Sequence, residues 1–209
     1  ILPYSEPGMN IGNLTCENML QNHNFHFQEG KSEIDFTGWE NNLSDGYRDI
    51  QYDPPEKMPG YCAAYLISLY SSDIKRGIWQ TIGLNPNDYV FSCYLKLDQG
   101  NSNPNHGVYL MVENTEDSSI IYTSQMITTK KEFQRVAIPF TVTSATSGNF
   151  KVGIYIDGNI KAKVIAPQLE RGNALSPYNY LSAYNNSILF TGTLDTIYPK
   201  TVATVFVPA

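Results

Sequence analysis

Hydrophobic and polar residues alternate in short segments along most of the chain, and turns rich in Gly, Asn, Pro and Ser separate these segments. Period-2 alternation is typical of β-strands, and no segment sustains the period of an amphipathic helix. Many short strands at this spacing predict an all-β sandwich, jelly roll or barrel. The predicted strands are Tyr61–Tyr70, Gly77–Leu84, Asp88–Asp98, His106–Asn114, Ser119–Gln125, Phe133–Thr143, Asn149–Asp157 and Lys161–Leu169.

The two ends of the chain depart from this pattern. We predict an N-terminal linker at residues 1–12, a β-sandwich module at 13–182 and a C-terminal extension at 183–209. The extension holds two further strand-like runs, Ser187–Thr193 and Thr201–Val207. The first residues have neither an initiating Met nor a signal-peptide pattern. We therefore expect a processed product, or a module cut from or inserted in a larger protein.

Alternation also predicts which side chains point away from the core. Tyr89 and Cys93 fall on the apolar side of their strand. Three predicted strands, including the strand of Tyr89, each carry a tyrosine and a charged residue on the side that faces away from the core. Such a surface suits a sugar, because its C–H faces stack on aromatic rings and its hydroxyls bond to polar side chains. The alternative is that tyrosine simply favours a half-exposed sheet. The candidate pairs are Tyr94 with Lys96, Tyr109 with Glu113, and Tyr155 with Asp157.

Two tryptophans and one polar loop add candidates for a saccharide site. Trp39 follows a glycine and either stacks on a sugar or caps the core, with the core favoured. Trp79 alternates with isoleucines and faces away from them, which allows a ligand role. Residues 41–59 form the longest stretch without a strand pattern, and long loops are often functional. Its candidate residues are Tyr47, Arg48 and Tyr52, with a merely solvated loop as the alternative.

Composition and charge narrow the possible partners. The 209 residues carry a formal net charge of −6, which argues against nucleic acid because phosphates require a basic surface. The sequence contains no run of 18 or more apolar residues, so we expect no insertion into a membrane. Cys16, Cys62 and Cys93 have no metal-ligand spacing and their odd number argues against a full disulfide framework, although a single Cys16–Cys62 bridge stays open.

The chemistry-bearing residues do not form a recognisable catalytic motif. His23 and His26 lack a further His or Cys nearby, so a zinc site is not expected. The chain has neither a Gly-x-Ser-x-Gly elbow nor a phosphate-binding glycine loop. A pair of carboxylates for glycoside hydrolysis stays open, because two acids distant in sequence can meet in space. We predict a protein that binds its ligand without chemistry and requires no cofactor.

Seven blocks of sequence stand out when they are taken in order. They are Asn13–Leu14 with Met19–Phe25, Gly38–Trp39, Gly77–Ile82, Asn87–Lys96, Phe133–Val142, Pro167–Gly172 and Ser176–Tyr178. Together these blocks resemble the jelly-roll carbohydrate-binding modules of phage tail and baseplate proteins of the evolved distal tail type, and a similar pattern occurs in modules attached to glycoside hydrolases. The resemblance covers roughly residues 13–180, while the C-terminal extension has no counterpart and His26 stands where a Glu is common.

The resemblance implies a two-sheet antiparallel jelly roll that is part of the virion, in the phage tail, and that acts outside the cell at the host surface. Its implied partners are bacterial cell-wall polysaccharide and other phage tail proteins. Alternatives are a structural domain of the virion and an accessory module of a bacterial glycoside hydrolase. Related jelly rolls often hold a structural Ca²⁺, for which this chain offers the oxygen donors Asn22, Asn24, Glu29 and Glu170.

Overall fold

A computed structural model describes residues 18–21, 38–43, 50–52, 67–71, 75–99, 105–129 and 132–176; at 50–52, 67–71 and 99 it describes the backbone alone. These residues form ten strands and contain no helix, so no helix among them is long and apolar enough to cross a membrane. The strands are β1 (Glu40–Asn41), β2 (Ile50–Tyr52), β3 (Ile67–Ser71), β4 (Arg76–Leu84), β5 (Asn87–Gln99), β6 (Gly107–Asn114), β7 (Ile121–Thr123), β8 (Gln134–Val142), β9 (Gly148–Asp157) and β10 (Ile160–Arg171).

The strands form two five-stranded sheets. The front sheet has the order β1-β4-β9-β6-β7, and the back sheet has the order β2-β3-β10-β5-β8. Every pairing among them is antiparallel. This architecture confirms the predicted two-sheet antiparallel sandwich of the jelly-roll type.

Short connections carry the chain from one sheet to the other. Asn85 and Pro86 join β4 of the front sheet to β5 of the back sheet, and Gly158 and Asn159 join β9 to β10. Gly158 has φ +87°, and a Cβ there would lie 2.2 Å from the His106 ring. Only glycine suits this turn, because it accepts the left-handed backbone and leaves room for the ring.

The inward-facing residues of both sheets form one hydrophobic core. In β9, Phe150, Val152 and Ile154 are completely buried, as the alternation predicts. In β5, Tyr89 and Cys93 belong to the same core, which confirms their predicted side, and the buried Cys93 thiol donates a hydrogen bond to the Ile165 carbonyl oxygen at 3.3 Å. Burial of this apolar surface is the main favourable contribution to folding.

Some sequence-based boundaries change in the structure. The stretch 41–59 is not entirely a loop, because Ile50–Tyr52 pairs with β3 as an edge strand. Three residues are too few to show alternation, so pairing with a neighbour defines this strand. The predicted strand Ser119–Gln125 shrinks to β7. The predictions for residues 61–66, Cys16, Cys62 and the C-terminal runs lie outside the described residues.

Candidate functional site

The outer face of the front sheet carries an aromatic band between two charged rows. Tyr109 lies opposite Tyr155 across β6 and β9, and Tyr155 lies opposite Gly77 of β4. The adjacent row runs from Met111 through Gly153 to Trp79. The charged rows on either side contain Asp157 at one end, and Glu113 with Lys151 at the other; Glu40 of β1 lies beside Trp79.

The aromatic rings of this band lie close to one another. Trp79 and Tyr155 have ring centroids 6.1 Å apart and planes only 3° from parallel. Tyr109 and Tyr155 have centroids 6.1 Å apart and planes 28° from parallel. These spacings fall in the range of favourable offset aromatic pairs. We call Trp79, Tyr109, Met111 and Tyr155 the front cluster, which is separate from the core between the sheets.

Two strand glycines let the rings of the front cluster approach the backbone. A Cβ on Gly77 would lie 2.8 Å from Cδ1 of Tyr155, and a Cβ on Gly153 would lie 2.8 Å from its Cε2. The same Gly153 Cβ would meet Cβ of Trp79 at 2.6 Å. The Tyr155 ring therefore lies over positions that must carry no side chain. A glycine inside a strand often marks such a close approach, so the sequence contained this signal.

The front cluster is more buried than a half-exposed sheet face. Trp79 is 9% exposed, Tyr109 8% and Tyr155 4%. Met126 packs against the cluster from the segment after β7, and the Lys151 ammonium lies 5.1 Å from the Trp79 ring centroid. The rings therefore present little open surface. What a ligand meets depends on the polar groups at their edges.

Several polar groups around the front cluster have no hydrogen-bond partner among the described residues. The buried Nε1–H of Trp79 makes no hydrogen bond. The carboxylates of Glu113 and Asp157 make no hydrogen bond or ion pair within the described part of the chain. A buried donor without an acceptor costs about 1–3 kcal/mol. The described residues supply no acceptor for this donor.

Burial and neighbouring carboxylates raise the pKa of both tyrosines of the front cluster. Burial, followed by the charge of Asp157, raises the pKa of Tyr109 to about 12. Burial also raises the pKa of Tyr155, with further contributions from Glu113, Tyr109 and Glu40 in that order. Both hydroxyls thus remain hydrogen-bond donors at neutral pH.

The structure separates the tyrosines that the sequence analysis placed together. Tyr94 and Lys96 lie on β5, on the outer face of the back sheet, whereas Tyr109 and Tyr155 lie on the front sheet. Arg135 lies 5.5 Å from the Tyr94 ring centroid, and Lys96 lies 5.6 Å from that of Phe133. Prediction of one shared aromatic face that includes Tyr94 and Lys96 is therefore wrong, because the sandwich core lies between the two groups.

The remaining aromatic candidates have different outcomes. Trp39 is 4% exposed and belongs to the core between the sheets, which agrees with the favoured core alternative and leaves it off the front face. Tyr52 lies in β2, an edge strand of the back sheet, and therefore does not belong to the front sheet. Tyr47 and Arg48 lie outside the described residues.

Glu170, a candidate metal ligand, has a structural role. Its fully buried carboxylate accepts hydrogen bonds from the backbone N–H of Ser176 at 3.0 Å, from the Ser176 hydroxyl, and from Nε2 of Gln168 at 3.0 Å. These bonds tie the segment after β10 to the strand. Asn22, Asn24 and Glu29 lie outside the described residues, and the described residues contain no group of three metal-binding side chains.

Replacing Glu170 by alanine is expected to lower the free energy of unfolding by about 1–3 kcal/mol, because the part-buried backbone N–H and hydroxyl of Ser176 and the buried Nε2 of Gln168 lose the carboxylate that accepts their hydrogen bonds. Urea denaturation of both proteins measures the difference. Glu116→Ala is the matched control, since it removes an exposed carboxylate and should change stability by less than about 0.5 kcal/mol. Equal effects of the two substitutions would show that the buried network does not stabilise the fold.

Comparison with known proteins identifies the fold. The sequence matches no protein-family model and no curated protein. Among solved structures, TmCBM61, a carbohydrate-binding module in complex with β-1,4-galactotriose, has a TM-score of 0.50 and 14% identity, covering 74% of this chain and 99% of that one. The CBM22-1-GH10 modules of a Clostridium thermocellum xylanase, in complex with xylohexaose, give 0.47 and 17%, covering 70% and 28%.

The same fold also occurs in an enzyme. A Stig cyclase from Fischerella sp. TAU, in complex with an indole compound, has a TM-score of 0.52 and 16% identity, covering 76% of this chain and 98% of that one. The chain therefore has the jelly-roll β-sandwich fold seen in carbohydrate-binding modules. Because one fold hosts different functions, the function must be argued from the front face itself.

Proposed function

We propose that this chain is a non-catalytic carbohydrate-binding module whose ligand binds at the outer face of the front sheet. The observation that carries the proposal is the unpaired Nε1–H of Trp79 within an aromatic cluster. Glu113 and Asp157 flank that cluster and have free acceptor oxygens. Aromatic edges, an indole donor and carboxylate acceptors together match the apolar and hydroxyl surfaces of a sugar.

The fold supports this proposal without deciding the ligand. TmCBM61, which shares the fold, was solved with a galactose oligosaccharide. We extend the comparison to saccharide binding as a class and leave the choice of sugar to experiment. The Stig cyclase is the counter-example, so catalysis is tested rather than assumed absent.

The sequence blocks favour a more specific setting. We propose that the module adheres to cell-wall saccharide of a bacterial host as part of a phage tail or baseplate, where many copies add avidity to weak single-site binding. The blocks resembling phage modules support this setting. An accessory module of a bacterial polysaccharide-degrading enzyme is the alternative.

A binding screen tests these proposals. The fluorophore-labelled protein is incubated with Gram-positive cells and purified wall polysaccharides, and with plant galactan and xylan. Binding to cells or wall material supports the adhesion setting, whereas binding to plant polysaccharides alone supports the accessory module. Absence of binding to any of them at high protein concentration would contradict saccharide binding. Release of reducing sugar from a bound polymer would contradict the non-catalytic assignment.

Burial of the front cluster favours a second candidate, a structural domain that packs against other virion proteins. With 4–9% exposure, its aromatic rings stabilise the sheet even without a ligand. This candidate leaves Trp79 without an acceptor, which is why we prefer the first. Failure of the binding screen together with stable association with a tail protein would support the second candidate.

A further inference from the structure

The charges around the front cluster are unequal in sign. The described side chains on this outer face include three carboxylates, Glu40, Glu113 and Asp157, and one ammonium, Lys151. The Glu40 carboxylate accepts a hydrogen bond from the Thr81 hydroxyl at 2.8 Å. The face around the aromatic band therefore has an excess of negative charge.

Lys151, the single cation among the described side chains of this face, does not neutralise the carboxylates of Glu113 and Asp157. Lys151 lies directly opposite Glu113 across β9 and β6, yet no ion pair joins them; its ammonium lies over the Trp79 ring instead. Asp157 lies at the other end of the band, beyond Tyr155 and Tyr109. A ligand on the band thus meets a carboxylate at each end.

The hydrogen-bonding groups at the band also favour a neutral ligand over an anionic one. Glu113 and Asp157 are acceptors that need donors from the ligand, such as sugar hydroxyl groups. Carboxylate or phosphate groups of a ligand offer no donor at neutral pH, and like charges placed next to each other cost several kcal/mol. The indole N–H of Trp79 and the tyrosine hydroxyls remain as donors for sugar oxygens.

We infer that the front face selects saccharides by charge, binding neutral sugars and rejecting their uronate- or phosphate-bearing counterparts through Glu113 and Asp157. This inference rests on the proposed saccharide binding. On a cell wall it assigns the ligand to the neutral polysaccharides and excludes the anionic phosphate polymers. The relevant contrast is between chains of similar length that differ in charge.

Paired saccharides test the inference. Neutral galactan, xylan and chitin oligosaccharides are compared with polygalacturonate, glucuronoxylan and phosphate-bearing wall polymer by affinity electrophoresis at low salt. We expect each anionic partner of a bound neutral sugar to bind at least about tenfold more weakly. We also expect this ratio to shrink at about 1 M salt, where charges are screened within about 3 Å.

The double variant Glu113→Gln with Asp157→Asn should reduce the ratio below about threefold, because the repelling charges are gone. The control variant, Asp88→Asn with Glu132→Gln, changes net charge equally but alters exposed residues on or before strands of the back sheet, so its ratio should stay unchanged. Equal or stronger binding of the anionic partners by the wild-type protein would overturn charge selection while leaving saccharide binding intact. If none of the six probes binds, both saccharide binding and charge selection are overturned.

Discussion

Replacing Trp79 by alanine is expected to weaken saccharide binding by at least about 30-fold, which corresponds to the roughly 2 kcal/mol of a binding hot spot. The substitution removes both the unpaired indole donor and the ring that lies parallel to Tyr155. Isothermal titration with the best ligand from the screen measures the change. Circular dichroism and thermal unfolding verify that the variant is folded.

Tyr94→Ala is the matched control for Trp79→Ala. Tyr94 is also an outward-facing aromatic residue beside a cation, but it lies on the back sheet. Its removal should leave saccharide affinity unchanged within about twofold, because the core separates it from the front cluster. A second variant, Trp79→Phe, keeps a ring while removing the N–H. Loss of binding in Tyr94→Ala, with full binding retained in Trp79→Ala, would move the site to the back sheet.

Replacing Gly153 by alanine is expected to lower the free energy of unfolding by about 1–3 kcal/mol, the usual cost of inserting atoms into a packed site. The new Cβ would lie 2.6 Å from the Ile78 carbonyl oxygen and 2.6 Å from Cβ of Trp79. Neither atom belongs to a flexible side-chain end, so the strands or the rings must shift. Urea denaturation measures the loss, and the shift should also weaken saccharide binding.

Gly83→Ala is the control for Gly153→Ala. Gly83 lies on the same face of the same sheet, but a Cβ there would meet only Oδ1 of Asn149, at an ordinary 3.5 Å. It should be neutral or stabilising by up to about 1 kcal/mol, because alanine restricts the unfolded chain. Similar stability for the two variants would show that the front cluster does not press against the backbone at Gly153.

Sequence alternation was sufficient to predict most strands and the inward-facing residues of β5, β6 and β9. The inward positions Phe150, Val152 and Ile154 are all fully buried, and Trp79 lies on the side opposite Ile78. Period-2 patterning is reliable here because each strand has one apolar face against the core.

Alternation did not reveal which sheet each strand joins. Tyr94 and Tyr155 both point outward, but the short connections carry the chain between sheets, so they lie on opposite sides of the sandwich. The sequence pattern also did not show that the acceptors and the crowded glycines lie together at one site. That arrangement depends on the register between strands, which brings Gly153 next to Trp79. Within-strand Gly153 was a local signal of close packing. The hydrogen-bond partners of Glu170 include Ser176, which the chain brings back to the strand after β10, and hydrophobic periodicity cannot predict such a turn.

The indole N–H of Trp79 offers the most direct test of saccharide binding at the front face. The chain has two tryptophans, so its ¹H–¹⁵N spectrum contains two indole signals, and Trp39 in the core is the internal reference. On titration with the bound saccharide, we predict a saturable shift of the Trp79 signal and little change at Trp39. Binding that leaves the Trp79 signal in place would contradict the site proposed on the front sheet.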